Sequence, residues 1–285
     1  MATMDSDAAL KAFFLPVRQG QRLCILHSPA SAGAPVRAAM VYVHPLGDEM
    51  NKSRHLAAMT ARAMAASGCA VLQIDLFGCG DSSGRFEDAS WEAWSGDIDA
   101  AIGWMVHRHP EAPLWLWSLR AGCLLASAAA VRWPGLQGML LWQPAVTGQA
   151  ALQQWLRLAS AGVMLGNRQA GRTAAQMRSA LAAGQTVEVG GYALAANLAS
   201  AIEAAELLAP APGTQVQWLE VASRAAATVL AASRPVIDAW QGSGLTVRAQ
   251  TVEAPPFWQT TELETAPALV KASLAALCDP AGTSG

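Results

Sequence analysis

The stretch Leu114–Gly122 reads Leu-Trp-Leu-Trp-Ser-Leu-Arg-Ala-Gly, and it decides the fold. Its first four residues are apolar and predict a buried strand, Leu114–Trp117. Ala121–Arg132 follows with a helical pattern that ends before Pro134. The small residues Ser118 and Gly122 let the strand and the helix approach closely around a tight turn. The sequence therefore predicts a sharp strand–turn–helix corner with Arg120 at its apex.

Short apolar runs and helical patterns alternate on both sides of this corner. The predicted strands are Arg22–His27, Ala38–His44, Cys69–Ile74, Met139–Trp142, Val216–Val221 and Leu245–Val252. The predicted helices are Asn51–Ser67, Trp91–His107 with Ser90 as N-cap, Ala225–Trp240 and Pro267–Leu277. Between residues 150 and 208 the pattern is helical and alanine-rich, with breaks at 166–172 and at Gly190-Gly191. Such alternation is typical of βαβ units in a parallel sheet.

This order of elements predicts an α/β-hydrolase fold: a mostly parallel central sheet flanked by helices, with a helical cap inserted after the sixth main strand. We expect residues 1–145 and 213–278 to form the core, 146–212 the cap, and 279–285 a disordered tail. A dinucleotide-binding fold is disfavoured because the loop His44–Glu49 lacks the required glycines.

Composition narrows the class of protein further. The 285 residues are 53% apolar and 14% charged, with a net charge of −2, so a large core is expected and no basic surface for nucleic acid. No signal peptide and no apolar run long enough to cross a membrane is found, and five scattered cysteines suit a reducing compartment. We therefore expect a cytoplasmic protein without a transmembrane segment. No cofactor or metal motif is predicted, and a homodimer is left open.

The apex of the corner raises a chemical problem. In α/β-hydrolases this position carries the nucleophile, but the guanidinium of Arg120 is always protonated and cannot attack a carbonyl. A shifted register would make Ser118 the nucleophile, at the expense of placing bulky Leu116 where a small residue belongs. Cys123 lies within the helix and is a weaker candidate.

The partners of a catalytic triad are also missing from their expected places. In this fold an acid and then a histidine follow the nucleophile. The five histidines, at positions 27, 44, 55, 107 and 109, all precede Arg120. The loop after Val216–Val221 has no carboxylate, and the loop after the last strand is occupied by Pro255, Pro256, Phe257 and Trp258.

Two loops remain as candidate parts of a site. In His44-Pro45-Leu46 the Leu46 N–H, together with the N–H of Ala121, is expected to form an oxyanion-like pair of backbone donors. His44 itself is expected mainly to brace its loop, with a catalytic role as the alternative. The loop Asp75–Gly84 is predicted to be structural, with positive φ at Gly78 and Gly80.

Several blocks of the sequence resemble the exosortase A system-associated hydrolase 2 family. The blocks are His44-Pro45 followed by Asp48–Arg54, Leu72–Leu76 with Gly78–Gly84, Ala89–Trp94, Trp117–Gly122 and Pro256–Thr260. The resemblance implies an α/β-hydrolase fold and a genomic association with exosortase/PEP-CTERM sorting and exopolysaccharide genes in Gram-negative bacteria. It also implies that members of the family usually carry arginine at the apex, and that glycine is commoner than serine at the position of Ser118.

Two functions follow as hypotheses. In the first, the protein is a pseudoenzyme in which Arg120 and the helix N-terminus bind an anionic, acyl or sugar ligand, with Lys52 and Arg54 adding charge. Arg120 would otherwise pair with a nearby carboxylate and plug the site; the candidates are Asp48, Glu49, Asp75, Asp81 and Glu253. In the second, an atypical ester or thioester hydrolase or acyltransferase uses Ser118, or a water activated by His44 with Asp81 or Glu49.

Overall fold

A computed structural model of the chain describes residues 10–29, 35–166, 172–224, 228–260 and 262–278, with only the backbone of 161–166 and Cys278. The strands are β1 Leu10–Pro16, β2 Gln21–His27, β3 Ala38–Val43, β4 Cys69–Ile74, β5 Leu114–Leu119, β6 Gly138–Trp142, β7 Val187–Val189, β8 Tyr192–Leu194, β9 Gln215–Ala222 and β10 Thr246–Glu253. The helices are α1 Asp48–Ala66, α2 Trp91–Arg108, α3 Gly122–Arg132, α4 Gly148–Gly166, α5 Ala174–Ala182, α6 Ala196–Ala204, α7 Arg234–Gly242 and α8 Pro267–Cys278. The predicted tail, 279–285, lies outside the described residues.

Eight strands form one sheet in the order β1-β2-β4-β3-β5-β6-β9-β10. β2 pairs antiparallel with both β1 and β4, and all the remaining neighbours in this sheet pair in parallel. Every residue of β3, β5 and β6 is buried, as expected for parallel strands that are covered on both faces. This confirms the predicted α/β-hydrolase architecture.

Two apolar layers enclose the sheet. Side chains of α2, α3 and α7 pack on one face, together with the buried residues of the inserted segment. Side chains of α1 and α8 pack on the other face around Trp117 and Trp142, whose rings are 4.8 Å apart. The corner at Arg120 therefore lies at the carboxyl end of the sheet, between the two layers.

The first strand, β1, was not predicted. It pairs along its whole length with β2 but forms an edge of the sheet, and most of its residues are exposed. Leu15 is its one buried residue, and the half-buried Phe13 packs its ring 4.9 Å from that of Trp104. Its apolar run, Ala12–Leu15, has only four residues and is followed by Pro16, a residue that is disfavoured within strands.

The segment between β6 and β9 is not wholly helical, and that part of the prediction was wrong. It contains α4, α5, a β7–β8 hairpin and α6. The two glycines interpreted as a helix break, Gly190 and Gly191, form the turn of the hairpin, with φ of 57° and 86°. Positive φ at both central residues is what a type I′ hairpin turn requires. The division into core and cap at residues 146 and 212 remains a proposal.

The helix predicted over 225–240 also differs. Within the described residues it begins only at Arg234, with Pro235 in its first turn. The preceding loop is attached to the end of β9, because the Leu230 N–H donates to the Glu220 carboxylate. An internal hydrogen bond of this kind competes with helix formation, and sequence periodicity does not reveal it.

The inserted segment closes over the start of α1 through side-chain contacts. Trp155 on α4 is buried and its Nε1 donates to Asp48 Oδ1 at 3.2 Å. Tyr192 on β8 accepts a hydrogen bond of 2.8 Å from Asn51 and packs its ring 5.0 Å from that of Phe86. These contacts hold α4 and the β7–β8 hairpin against the start of α1.

Candidate functional site

The corner has the backbone geometry of a nucleophile elbow although its apex is an arginine. Arg120 adopts φ of 56°, a left-handed conformation that non-glycine residues rarely take. Its N–H donates to the Trp142 carbonyl at 3.0 Å and its carbonyl accepts from Ala145 at 3.2 Å. A Cβ on Gly122 would lie 2.5 Å from the His44 carbonyl oxygen, so no larger residue fits there without a shift. The strained turn and its small flanking residue are therefore both present.

The Arg120 side chain is folded inward and makes three contacts. Its Nε lies 3.5 Å from Glu49 Oε1, and its Nη2 donates to the amide oxygen of Gln154 on α4. The guanidinium carbon also lies 5.5 Å from the centre of the Trp258 ring. Arg120 as a whole is 9% exposed. Glu49 is therefore the one of the five candidate carboxylates that pairs with Arg120 in this structure.

Glu49 is an unusual partner because it is itself buried. It lies in the first turn of α1, and its side chain is only 9% exposed. Burial raises the pKa of Glu49, with a smaller contribution from Asp48; Arg120 and Lys52 act in the opposite direction. Because the net effect is upward, the single long contact with Arg120 does not outweigh the loss of water around the carboxylate.

Ser118 does not reach the apex. It lies within β5, is fully buried, and donates its hydroxyl to Cys123 Sγ at 3.3 Å. Cys123 is equally buried in α3, and burial raises the pKa of its thiol to about 12, so no thiolate forms near neutral pH. This geometry does not support a nucleophilic role for either residue.

His44 braces its own loop. Its Nδ1 lies 2.7 Å from the Pro45 carbonyl oxygen, and its Nε2 lies 3.3 Å from the Leu76 nitrogen. The neutral tautomer that carries its proton on Nδ1 satisfies both bonds. Burial lowers the pKa of His44, which keeps the ring neutral. With both nitrogens engaged, the structure favours the structural role that was expected for this residue.

The two backbone donors expected at the site are unengaged among the described residues. Neither the Leu46 N–H nor the Ala121 N–H has a hydrogen-bond acceptor within the described ranges. Both residues are buried, at 5% exposure each. The indole N–H of Trp258 is likewise buried and has no partner among the described atoms. The N–H groups of Leu46, Ala121 and the Trp258 indole are thus three donors without an acceptor among the described atoms.

Lys52 and Arg54 each belong to a different ion pair. Lys52 binds Asp48 on the preceding turn of α1 at 2.7 Å. Arg54 binds Asp75 at 3.0 Å, beside the loop in which Gly78 and Gly80 take the predicted positive φ. Neither cation touches Arg120, so the expected cluster of three positive side chains is not brought together in this structure.

Three residues around the site were not foreseen from the sequence. Gln154 belongs to the inserted segment and had no motif to mark it. Trp258 was noted only as an obstacle to a catalytic histidine, and its contact with Arg120 was not expected. Glu220 is the carboxylate at the end of β9, in the strand and not in the loop that follows. It is buried and accepts from Trp218 Nε1 at 3.0 Å and from the Leu230 N–H, so its oxygens are occupied by structural bonds.

Two further properties concern the described part of the chain. None of its helices is long and apolar enough to cross a membrane. Over the same ranges, no group of three or more His, Cys, Asp or Glu side chains is arranged to hold a metal ion.

Sheet order, corner and inserted segment together define an α/β-hydrolase. The chain belongs to the serine aminopeptidase S33 family, whose sequence model matches residues 34–181, just over half of its length. No curated protein sequence matches the chain.

Solved structures with the same fold include several esterases. Est1E from Butyrivibrio proteoclasticus matches with a TM-score of 0.62 and 12% identity over 94% of this chain and 98% of its own. A thermostable carboxyl esterase from Bacillus coagulans matches with a TM-score of 0.61 and 12% identity, over 86% and 90%. The serine hydrolase XC6422 from Xanthomonas campestris, described as lacking a lid, matches with a TM-score of 0.58 and 14% identity, over 98% of each chain. At these identities the likeness extends to the fold alone.

Proposed function

We propose that this protein binds a small anionic molecule at the elbow of its hydrolase fold and does not hydrolyse it. The observation that carries the proposal is Arg120, a cation in the strained position that a nucleophile takes in active members of this fold. A guanidinium is a poor nucleophile but a strong partner for carboxylates, phosphates and acidic sugars.

The surrounding donors support an anionic ligand. The N–H groups of Leu46 and Ala121 point to no acceptor among the described residues, and the start of α3 adds the positive end of a helix dipole. Acyl or sugar ligands that carry a negative group are compatible with the same donors. The contacts of Arg120 with Glu49 and Gln154 are then those of the ligand-free site.

A second candidate is an atypical ester or thioester hydrolase, or an acyltransferase. It is favoured by the retained elbow geometry and by the esterases among the structures of similar fold. In that mechanism Arg120 and the backbone donors would stabilise an oxyanion while a water molecule attacked the ester. Burial of Ser118 leaves water as the nucleophile for this alternative.

Esterase assays separate the two functions. We expect no hydrolysis of p-nitrophenyl acetate or butyrate by the wild-type protein above the rate in buffer. Turnover that disappears in Arg120→Ala or Ser118→Ala, with both variants folded, would establish the hydrolase and overturn the binding-only function.

Thermal shift and calorimetry test the binding function directly. Butyrate, glucuronate and inorganic phosphate are suitable probes, and a ligand at about 100 times its Kd stabilises the folded state by about 2.7 kcal/mol. We expect stabilisation of the wild-type protein that is lost in Arg120→Met and kept in Arg85→Ala, which removes an exposed arginine. Equal stabilisation of wild type and Arg120→Met by every probe would contradict the proposal.

The biological setting is proposed on the resemblance of the sequence blocks alone. We propose a cytoplasmic protein that serves an exosortase or exopolysaccharide system, either as a monomer or as a homodimer. Cell fractionation tests the location, and light scattering of the purified protein tests the oligomeric state.

A further inference from the structure

We propose that the ligand of this site is a small monocarboxylate that replaces the Glu49 carboxylate beside Arg120, and that its binding is coupled to the uptake of one proton by Glu49. This inference rests on the proposed function and specifies both the ligand class and its regulation by pH.

The pairing of Arg120 with Glu49 is incomplete. A carboxylate and a guanidinium bind best through two parallel N–H···O bonds of about 2.8 Å. Glu49 instead makes one contact of 3.5 Å with Nε, and Nη2 is directed to the neutral amide of Gln154. No described residue accepts from Nη1. The guanidinium therefore has unused capacity for the forked contact that an incoming carboxylate can make.

Glu49 is suited to give up its position. Its side chain has no hydrogen bond to a described residue besides the contact with Arg120. The charged groups that act on it are Arg120 from the elbow and Asp48 and Lys52 from its own helix. The neighbours of Arg120 on α4 and in the 254–258 loop, Gln154 and Trp258, are neutral. Burial already favours the protonated form, and it raises the pKa of Glu49 despite the nearby cation.

Charge balance in a buried site then links the ligand to the proton. A ligand carboxylate on Arg120 would take over the attraction that favours ionised Glu49 and add a negative charge next to it. Both effects favour protonation of Glu49, and afterwards the site again holds one positive and one negative charge. A dianion would leave one charge without a partner, because Lys52 and Arg54 are already paired with Asp48 and Asp75. The charge balance therefore favours a monocarboxylate over the phosphate dianion.

Calorimetry provides the test, with acetate, butyrate and inorganic phosphate as probes between pH 5.5 and pH 8.5. In this range the carboxylate probes are ionised, so any pH dependence belongs to the protein. We expect carboxylate affinity to weaken up to about tenfold per pH unit above the pKa of Glu49, the limit for one linked proton. Titrations in two buffers of different ionisation heat should show uptake of up to one proton per ligand bound, and this readout needs no variant.

Glu49→Gln is the matched variant, because glutamine keeps the shape and cannot titrate. We expect it to bind carboxylates at pH 8 at least as tightly as the wild-type protein does at pH 6, with no pH dependence. Glu203→Gln, in an exposed ion pair with Arg178, should keep the wild-type pH dependence. Far-ultraviolet circular dichroism verifies that each variant is folded.

The outcomes distinguish this inference from the function on which it rests. Absence of binding by wild type and Glu49→Gln at every pH would overturn both. Arg120-dependent binding without proton uptake or pH dependence would overturn the proton coupling and leave the binding function standing. Tighter binding of phosphate than of carboxylates at pH 8.5, where phosphate is a dianion, would overturn the assignment of the ligand class.

Discussion

Arg120 occupies the central position of the candidate site. A buried guanidinium is tolerated only where it is paired and hydrogen-bonded, since a buried charge without partners costs several kcal/mol. Here the partners are supplied from three separate parts of the chain: the first turn of α1, the inserted helix α4 and the loop after β10. The arginine thus joins the places where hydrolases of this fold keep an oxyanion loop, a lid and a catalytic histidine.

Restoring a serine at the apex should not restore hydrolysis. We expect Arg120→Ser to turn over p-nitrophenyl acetate no faster than the wild-type protein, because no imidazole lies in the loop after β10 and Glu220 is engaged elsewhere. Loss of the histidine alone from a serine hydrolase costs on the order of 10⁶-fold in kcat. A clear burst of p-nitrophenolate from the variant, absent from Arg120→Ala, would show that an unrecognised base is present.

The raised pKa of Glu49 predicts how the stability of the folded protein depends on pH. The folded-state pKa is raised above the ordinary value of 4.5, so the folded protein holds this proton more tightly than the unfolded chain does. The contribution of Glu49 is therefore fully favourable below pH 4.5 and is lost as the pH rises through the folded-state pKa. We expect Glu49→Gln to gain stability relative to the wild-type protein between pH 4 and pH 8, in urea unfolding experiments.

The control for this experiment is Glu203→Gln. The ion pair of Glu203 with Arg178 is exposed, and such pairs contribute about 0–1 kcal/mol. A stability difference between wild type and Glu49→Gln that stays constant from pH 4 to pH 8 would contradict the raised pKa.

At the scale of elements, the elbow depends on the close approach of β3 and α3. A Cβ on residue 122 would meet two backbone carbonyl oxygens, 2.5 Å away at His44 and 2.7 Å away at Val43. Backbone atoms cannot turn aside as a side chain can, so the helix itself would have to shift. We expect Gly122→Ala to lower the free energy of unfolding by about 3 kcal/mol or more.

Gly96 offers a matched control, because it lies in the interior of α2 and a Cβ placed on it would have no atom within 4 Å. Gly96→Ala should raise stability by about 0.5–1 kcal/mol, since alanine loses less backbone entropy in a helix. Chemical denaturation of both variants checks the pair. Equal and small effects would mean that the elbow is looser than described.

The elements best anticipated from sequence are those whose burial is uniform. β3, β5 and β6 are apolar almost throughout because both faces of the sheet are covered, and their continuous runs are visible at once. β1 was missed because its apolar run, Ala12–Leu15, is short and is followed by Pro16, which is disfavoured within strands. The β7–β8 hairpin was not predicted because each of its strands has three residues, too few for an alternating pattern to be recognised.

At the scale of the whole molecule, the inserted segment is fastened to the core through polar bonds and aromatic packing around the start of α1. Trp155 is central to this arrangement: it is 4% exposed, donates to Asp48 and packs near Phe86. We expect Trp155→Ala to cost about 3–5 kcal/mol and to increase proteolytic cleavage between residues 148 and 204.

Leu158→Ala is the control on the same helix, because its side chain is 39% exposed and a change there should stay within about 1 kcal/mol. Limited proteolysis followed by mass spectrometry locates the cuts. Similar cleavage of the two variants would argue against Trp155 as the fastening residue.

The candidate site could be predicted only in part, because some of its residues come together only when the whole chain folds. The apex, the backbone donors and the missing triad follow from local order along the chain, so they could be anticipated from sequence. The partners of Arg120 come from positions 49, 154 and 258, which only the folded chain brings together. Glu49 was one of five candidate partners for Arg120, and no local sequence pattern distinguishes it from the other four.

The backbone conformation of Arg120 also bears on how catalytic machinery is recognised in related proteins. A left-handed apex is commonly interpreted as the mark of a poised nucleophile, yet here it persists with a side chain that cannot attack anything. The strain must then be imposed by the crossing of strand and helix, which exists whether or not a reaction takes place. In this chain the strained elbow therefore reflects how the strand and the helix cross, and activity has to be judged from the side chains gathered around it.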